Sequence, residues 1–213
     1  MYYRPTFGMM GPGLKNLLLA NIFVFVAQIL LPQLVNPYFF GLVPALVIKK
    51  LFVWQLVTYM FLHGGFGHIF FNMFALWMFG MELERTWGTR EFVKYYFLTG
   101  IAAGVSSLLW NWGSPYPTIG ASGAVYGILA AYALFFPDRY VYLYFLFPIK
   151  MKYLALILGG IEFLSMYQND GIAHIAHLGG MVVGYFYLRH RYKHWGVGQD
   201  FFKNFFRKKN PWE

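Results

Sequence analysis

Between Lys94 and Asp138 the chain carries no formal charge, although the segment NWGSPYPTIG at residues 111–120 breaks any helix there with two prolines and several turn formers. A loop of a soluble protein runs over a hydrated surface. This one is as uncharged as the apolar stretches on either side of it. Irregular backbone is tolerated at membrane depth where protein rather than lipid surrounds it, so the loop is expected to dip into a membrane-embedded bundle. Composition agrees, because only 12% of the 213 residues are charged and 59% are hydrophobic, against about 25% charged in soluble domains. The expected fold class is an all-α polytopic membrane protein.

The length suits one domain of six spans of about 20 residues each. They are expected near residues 14–35, 68–81, 93–110, 122–137, 151–167 and 171–188. Pro32 is expected to kink the last turn of the first. Residues 36–67 read as a long loop lying partly in the interface, anchored by Trp54 and Tyr59. Residues 140–149 are too few to span and are expected at the surface. Residues 1–13 form a short N-terminal segment, 14–188 the bundle, and 189–213 a basic tail. That tail sets Phe201, Phe202, Phe205 and Phe206 among lysines and arginines and can lie on the bilayer. The apolar stretch after residue 13 has no small-residue cleavage site and reads as a retained span.

The net charge of +9 does not point to nucleic acid, because the basic residues lie in short tracts at span edges. With both termini inside, all of the 17 lysines and arginines except Lys49 and Lys50 fall on the cytoplasmic side. The inverted orientation would reverse that bias. The chain has no cysteine, so a disulfide framework and a thiolate metal site are both excluded.

Polar groups inside a span are costly and each needs a reason. The informative ones are His63, His68, Asn72, Ser122, Glu162, His174 and His177. Ser122 lies among small residues, with Gly123 and Gly127 at GxxxG spacing, and Gly180 and Gly184 repeat that spacing in the last span. Close helix packing alone would explain both runs. If those two spans cross at their small faces, however, Ser122 and His177 meet at similar depth. Ser122 also opens its helix, where free N–H groups and the positive end of the helix dipole favour a nearby anion. A serine needs a base to become a nucleophile, and neutral imidazole is suited to that work. His68 and Asn72, four apart, share one helix face and can donate to an oxyanion.

These residues resemble the rhomboid family of intramembrane serine proteases. HGGFGHIFFN at residues 63–72 looks like its histidine-and-asparagine block. GASGAVYG at 120–127 fits Gly-x-Ser-Gly, and AHLGGMVVG at 176–184 fits Ala-His-x-x-Gly. The resemblance covers nearly the whole chain. It implies a six-transmembrane-helix rhomboid-type bundle in which Ser122 attacks the scissile carbonyl and His177 acts as base and then acid. His68, Asn72 and the Ser122 N–H would hold the oxyanion, with Tyr126 packed beside the histidine and His63 supporting the outer loop. Glu84 and Arg85 match an acidic-basic pair that stabilises the end of the second helix. The family often has Trp-Arg in the first outer loop, where this chain has Trp54-Gln55 and so lacks a loop-anchoring arginine.

Other classes fit less well. His174 and His177 could suggest a metal pair, but no carboxylate lies near them in sequence and no HExxH occurs. Neither metal nor cofactor is therefore expected. Asp138, Asp170 and Asp200 lie at span ends or in the tail, which excludes an aspartyl intramembrane protease. Glu162 is the one acid well inside a span and could orient a histidine. Because the family works with a serine-histidine dyad, a packing, gating or pH-tuning role is expected for it. A binding-only relative would typically lack the serine or the histidine. A transporter would lead one to expect an inverted repeat, and none is seen. The expected substrates are membrane proteins with a transmembrane helix. The compact length suggests, by analogy, a prokaryotic inner membrane.

Overall fold

The computed structural model describes residues 10–143, 146–168 and 172–192. The N-terminal residues 1–9, the aromatic tail and much of the connection at residues 168–171 lie outside them.

Helix α1 (Pro12–Leu30) starts with proline at its first position, where a missing N–H costs nothing, and ends just before Pro32. Pro32 therefore terminates the helix rather than kinking it. The loop that follows is built from short helices α2 (Pro37–Phe40), α3 (Pro44–Lys50) and α4 (Gln55–Thr58), then one 3-10 turn at Tyr59–Phe61. Helices α5 (Phe66–Trp87) and α6 (Thr89–Trp110) are joined through Gly88 alone. Its φ of 81° lies in the left-handed region that a side chain disfavours. Next come α7 (Ser122–Phe135), α8 (Met151–Ser165) and α9 (His174–Arg191). The last of these runs three residues past the expected boundary of the bundle.

By length and composition α1, α5 and α6 can cross a membrane, and α7 is a shorter apolar helix. Many large apolar side chains face outward, among them Phe23, Leu30, Phe66, Phe71 and Leu164. On an integral membrane protein such a surface meets lipid. Residues 140–150 depart from an all-α fold. Strands β1 (Tyr140–Leu143) and β2 (Phe147–Lys150) pair antiparallel, with Tyr140 opposite Lys150.

The centre of the bundle is α7, which is buried from Gly123 to Ala133 except at Tyr126. Helices α6 and α9 pack against it on two sides, α5 on a third, and α8 closes the periphery along α7 and α9. Glycines set these approaches. A Cβ at Gly180 of α9 would stand 2.0 Å from the Gly123 carbonyl oxygen of α7, and one at Gly127 would stand 2.5 Å from Thr99 of α6. The small-residue runs thus pack the helices closely and also bring Ser122 and His177 to one depth.

Two polar devices hold the frame. The Glu84 carboxylate accepts the N–H groups of Gly13 (2.8 Å) and Leu14 (2.9 Å) and the Thr89 hydroxyl (2.7 Å). It therefore neutralises the leading end of α1, a role beyond the end of its own helix. Gln55, fully buried, accepts from Val43 N–H and donates to the carbonyls of Tyr38 and Phe39. It ties the outer loop together in place of an arginine. Tyr59, expected as an interfacial anchor, is instead 1% exposed and donates to the Gly100 carbonyl at 2.7 Å.

Candidate active site

The loop at residues 111–120 is tied to the rest of the bundle by backbone hydrogen bonds. Leu42 and Thr118 exchange both backbone hydrogen bonds at 2.9 and 2.8 Å, Ala45 N–H donates to the Ser114 carbonyl, and Gly120 N–H donates to the Tyr59 carbonyl. Protein thus supplies what lipid cannot. Gly120 turns the chain into α7 with φ of 127°. A Cβ there would lie 2.8 Å from the His68 ring as well, so glycine meets both demands.

The turn delivers Ser122 to the first position of α7, where its Oγ lies 2.7 Å from His177 Nε2 on α9. Tyr126, one helical turn on, stacks flat against the His177 imidazole, with centroids 4.3 Å apart and planes within 7°. That contact fixes the ring plane and shields one face. If Ser122 donates its proton to Nε2, the ring proton sits on Nδ1, which faces α8.

Ser122, His177 and His68 line one open cavity of about 910 Å³, together with Ser107, Asn111 and Gln168. His68 Nδ1 accepts the Gly64 N–H at 3.2 Å, which leaves Nε2 to carry the proton into the cavity. Asn72 is buried and does not line this cavity, and its Nδ2 donates to the His68 carbonyl at 2.9 Å. Among the expected oxyanion donors, His68 and the α7 N-terminus therefore converge, and Asn72 is held on its own helix. His63 sits behind them, 3% exposed, with its backbone clamped by the Gln28 amide of α1 (2.9 and 3.3 Å) and its ring edge-on to His68.

Spacing alone did not reveal what surrounds Glu162. This buried α8 carboxylate receives the Tyr126 hydroxyl on Oε1. Its Oε2 is 2.6 Å from His174 Nδ1 and 3.0 Å from His177 Nδ1. The His177 contact is at ion-pair distance but lacks the alignment of a hydrogen bond. A carboxylate absent from the histidines' sequence neighbourhood is therefore present in space. The three groups bring ligand atoms within 4.8 Å of one another. However, ligands about 2.1 Å from one tetrahedral zinc ion stand more than about 3 Å apart, and Oε2 already touches His174 more closely than that.

On a helical membrane protein, a serine hydroxyl on an imidazole beside an open, polar-lined cavity is an arrangement able to support nucleophilic chemistry. Comparison with known proteins places the chain further. A rhomboid domain matches residues 50–193, and the chain belongs to the rhomboid family. It is 35% identical over 133 residues to the rhomboid protease GluP of Bacillus subtilis, covering 62% of this chain and 25% of that protein. Identity is 30% over 184 residues to the mitochondrial rhomboid protein 1 of Saccharomyces cerevisiae, covering 81% and 52%. It is 28% over 149 residues to the rhomboid protease AarA of Providencia stuartii, covering 62% and 53%. The chain spans about a quarter to two thirds of the length of the curated relatives it matches first.

Proposed function

We propose that the protein is an intramembrane serine endopeptidase that cuts membrane proteins in or near a transmembrane helix. The observation that carries this reading is the 2.7 Å contact between Ser122 Oγ and His177 Nε2, made by two helices at a cavity mouth. Neutral imidazole takes the serine proton as Oγ attacks the scissile carbonyl, and returns it to the leaving amine as the acyl-enzyme forms. A water then gives a proton to the same nitrogen as its oxygen bonds to the acyl carbon, and the ester bond breaks as that proton returns to Ser122 Oγ, freeing the carboxylic acid. Negative charge on the tetrahedral oxygen meets His68 Nε2–H and the first-turn N–H groups of α7. Asn72 joins them only after its amide leaves the His68 carbonyl. No cofactor takes part.

Helices α1 and α5 to α9 form the six spans, with both termini cytoplasmic and the cavity opening outward, in a prokaryotic inner membrane. Ser107, Asn111 and Gln168 line a polar way in for water. Helix α8 is the lateral gate, since a methyl group at its Gly160 would meet no atom within 4 Å and one at Gly159 would meet only the Met181 side chain. A substrate helix with small or helix-breaking residues near the outer face unwinds there and offers an extended strand.

The test is cleavage of a single-span substrate in liposomes by the wild type, Ser122→Ala and His177→Ala, beside fluorophosphonate labelling of each. Wild type is expected to cut and label, and each variant to lose activity by more than about 1000-fold. Cutting that persists in Ser122→Ala, or a wild type that neither cuts nor labels, would overturn the reading.

A further inference from the structure

The serine-histidine pair leaves one buried group without a task. Glu162 is 5% exposed, in the last turn of α8 and within a stretch read as a span. An ionised carboxylate at membrane depth is kept only where partners and a use compensate its desolvation. Its partners come from two other helices: Tyr126 from α7, and His174 and His177 from α9. Tyr126 and His174 fix the carboxylate from two directions. The same Tyr126 ring also holds the His177 plane. What remains is Oε2 at 3.0 Å from His177 Nδ1, a nitrogen with no hydrogen-bond partner among the described residues.

We propose that Glu162 is a positioning residue for the base, so that the site works as Ser122–His177–Glu162 rather than as a pair. The inference rests on the serine protease reading above. In the resting enzyme the carboxylate keeps the ring proton on Nδ1, which leaves the Nε2 lone pair free for the Ser122 proton. When Nε2 takes that proton, the imidazolium forms 3.0 Å from a fixed negative charge, and a small ring rotation aligns the Nδ1–H with Oε2. The proton on Nε2 passes on to the leaving amine, and Glu162 stays ionised throughout. Because the carboxylate rides on α8, the competence of the base depends on where that helix sits.

The experiment uses the full chain in liposomes with three variants, Glu162→Gln, Glu162→Asp and Ser122→Ala, and ¹⁵N NMR of the histidine rings in detergent. Glu162→Gln keeps the shape and loses the charge. Its kcat is expected to fall about 100-fold or more, with KM within about twofold, as for a base left in the wrong tautomer. Glu162→Asp is expected to recover at least about a tenth of the wild-type kcat. In the wild type the His177 signals should show the proton on Nδ1, and in Glu162→Gln a mixture. A merely structural carboxylate would change thermal stability but leave the tautomer and the ratio of the two kinetic constants alone. Wild-type His177 protonated on Nε2 overturns the proposal without recourse to any variant, and so does full kcat in Glu162→Gln. Either result leaves the serine reading intact as long as Ser122→Ala is dead, whereas an active Ser122→Ala removes both.

Discussion

Two faces of α9 are built in opposite ways. Toward α7 it presents Gly180 so closely that a methyl group would stand 2.0 Å from the Gly123 carbonyl oxygen. Toward α8 the contact is loose, and an apolar groove of about 450 Å³ runs between Gly159, Gly160 and Met181. The tight face carries the pair of atoms whose 2.7 Å spacing decides reactivity, and the loose face carries the carboxylate behind them. Close backbone packing has few alternative arrangements, since interiors at this density cannot deform continuously. A helix with open space beside it can shift without breaking a core. Under the proposed function, the closely packed side is the fixed reaction centre and α8 is the wall that moves.

The largest expected effect comes from breaking the tight face. Gly180→Ala puts a methyl into backbone that cannot retreat, and is expected to cost about 3 kcal/mol and to abolish cleavage. Thermal unfolding in detergent and the liposome assay check both, and a variant of ordinary stability and activity would show that the close approach is not what sets the pair. On the loose face the sign reverses. Gly160→Ala meets nothing and gains helix propensity, so stability is expected to rise by about 0.5–1 kcal/mol. Turnover of a transmembrane substrate should fall as the helix stiffens, while fluorophosphonate labelling of Ser122 stays unchanged.

The smallest effect is expected at the start of α8, where Asp138 meets Lys152 at 3.1 Å and Lys150 at 3.3 Å. Burial works against the Asp138 carboxylate, but the two ammonium groups outweigh it and hold its pKa below the ordinary 3.8. A depressed carboxylate contributes stability above its unfolded pKa and loses it as pH falls through the lower folded value. With Asp138 44% exposed, solvent screens the pair, and Asp138→Asn should cost about 0.5 kcal/mol at about pH 7. Toward the acid side of 3.8 that cost should shrink. A larger loss at neutral pH would mean that the loose helix is pinned harder at its base than along its length.

The expected helices and the Ser122, His68 and His177 positions were legible because each rests on local pattern. Apolar runs, proline breaks and short motifs speak for residues within a few turns of one another. The helix ends moved by a few residues where capping decided them, as α5 did in running on to its cap at Gly88. What stayed hidden depends on the rotation of one helix against another, which no local pattern encodes. Glu162 stood out as an acid in a span, yet its three partners come from two other helices. Gln55 reads in sequence as a missing arginine, whereas its amide reaches across the loop to Val43 and Tyr38. Tyr59 reads as an interfacial aromatic because its composition context is interfacial, whereas its hydroxyl reaches α6. The hairpin at residues 140–150 lacked the alternation that would have announced it.

Glu84 bears on how the chain is assembled in time. Its carboxylate completes the leading turn of α1 across 70 and 71 residues of sequence. During synthesis α1 reaches the bilayer long before its acceptor has been made, and its first N–H groups wait with water or headgroups for partners. Only when α5 arrives does the first helix acquire its permanent seat, and Thr89 of α6 then closes the same carboxylate. A helix made about 70 residues earlier is therefore among the last to be fully seated, and a chain interrupted before Glu84 would leave the first turn of α1 without its acceptor.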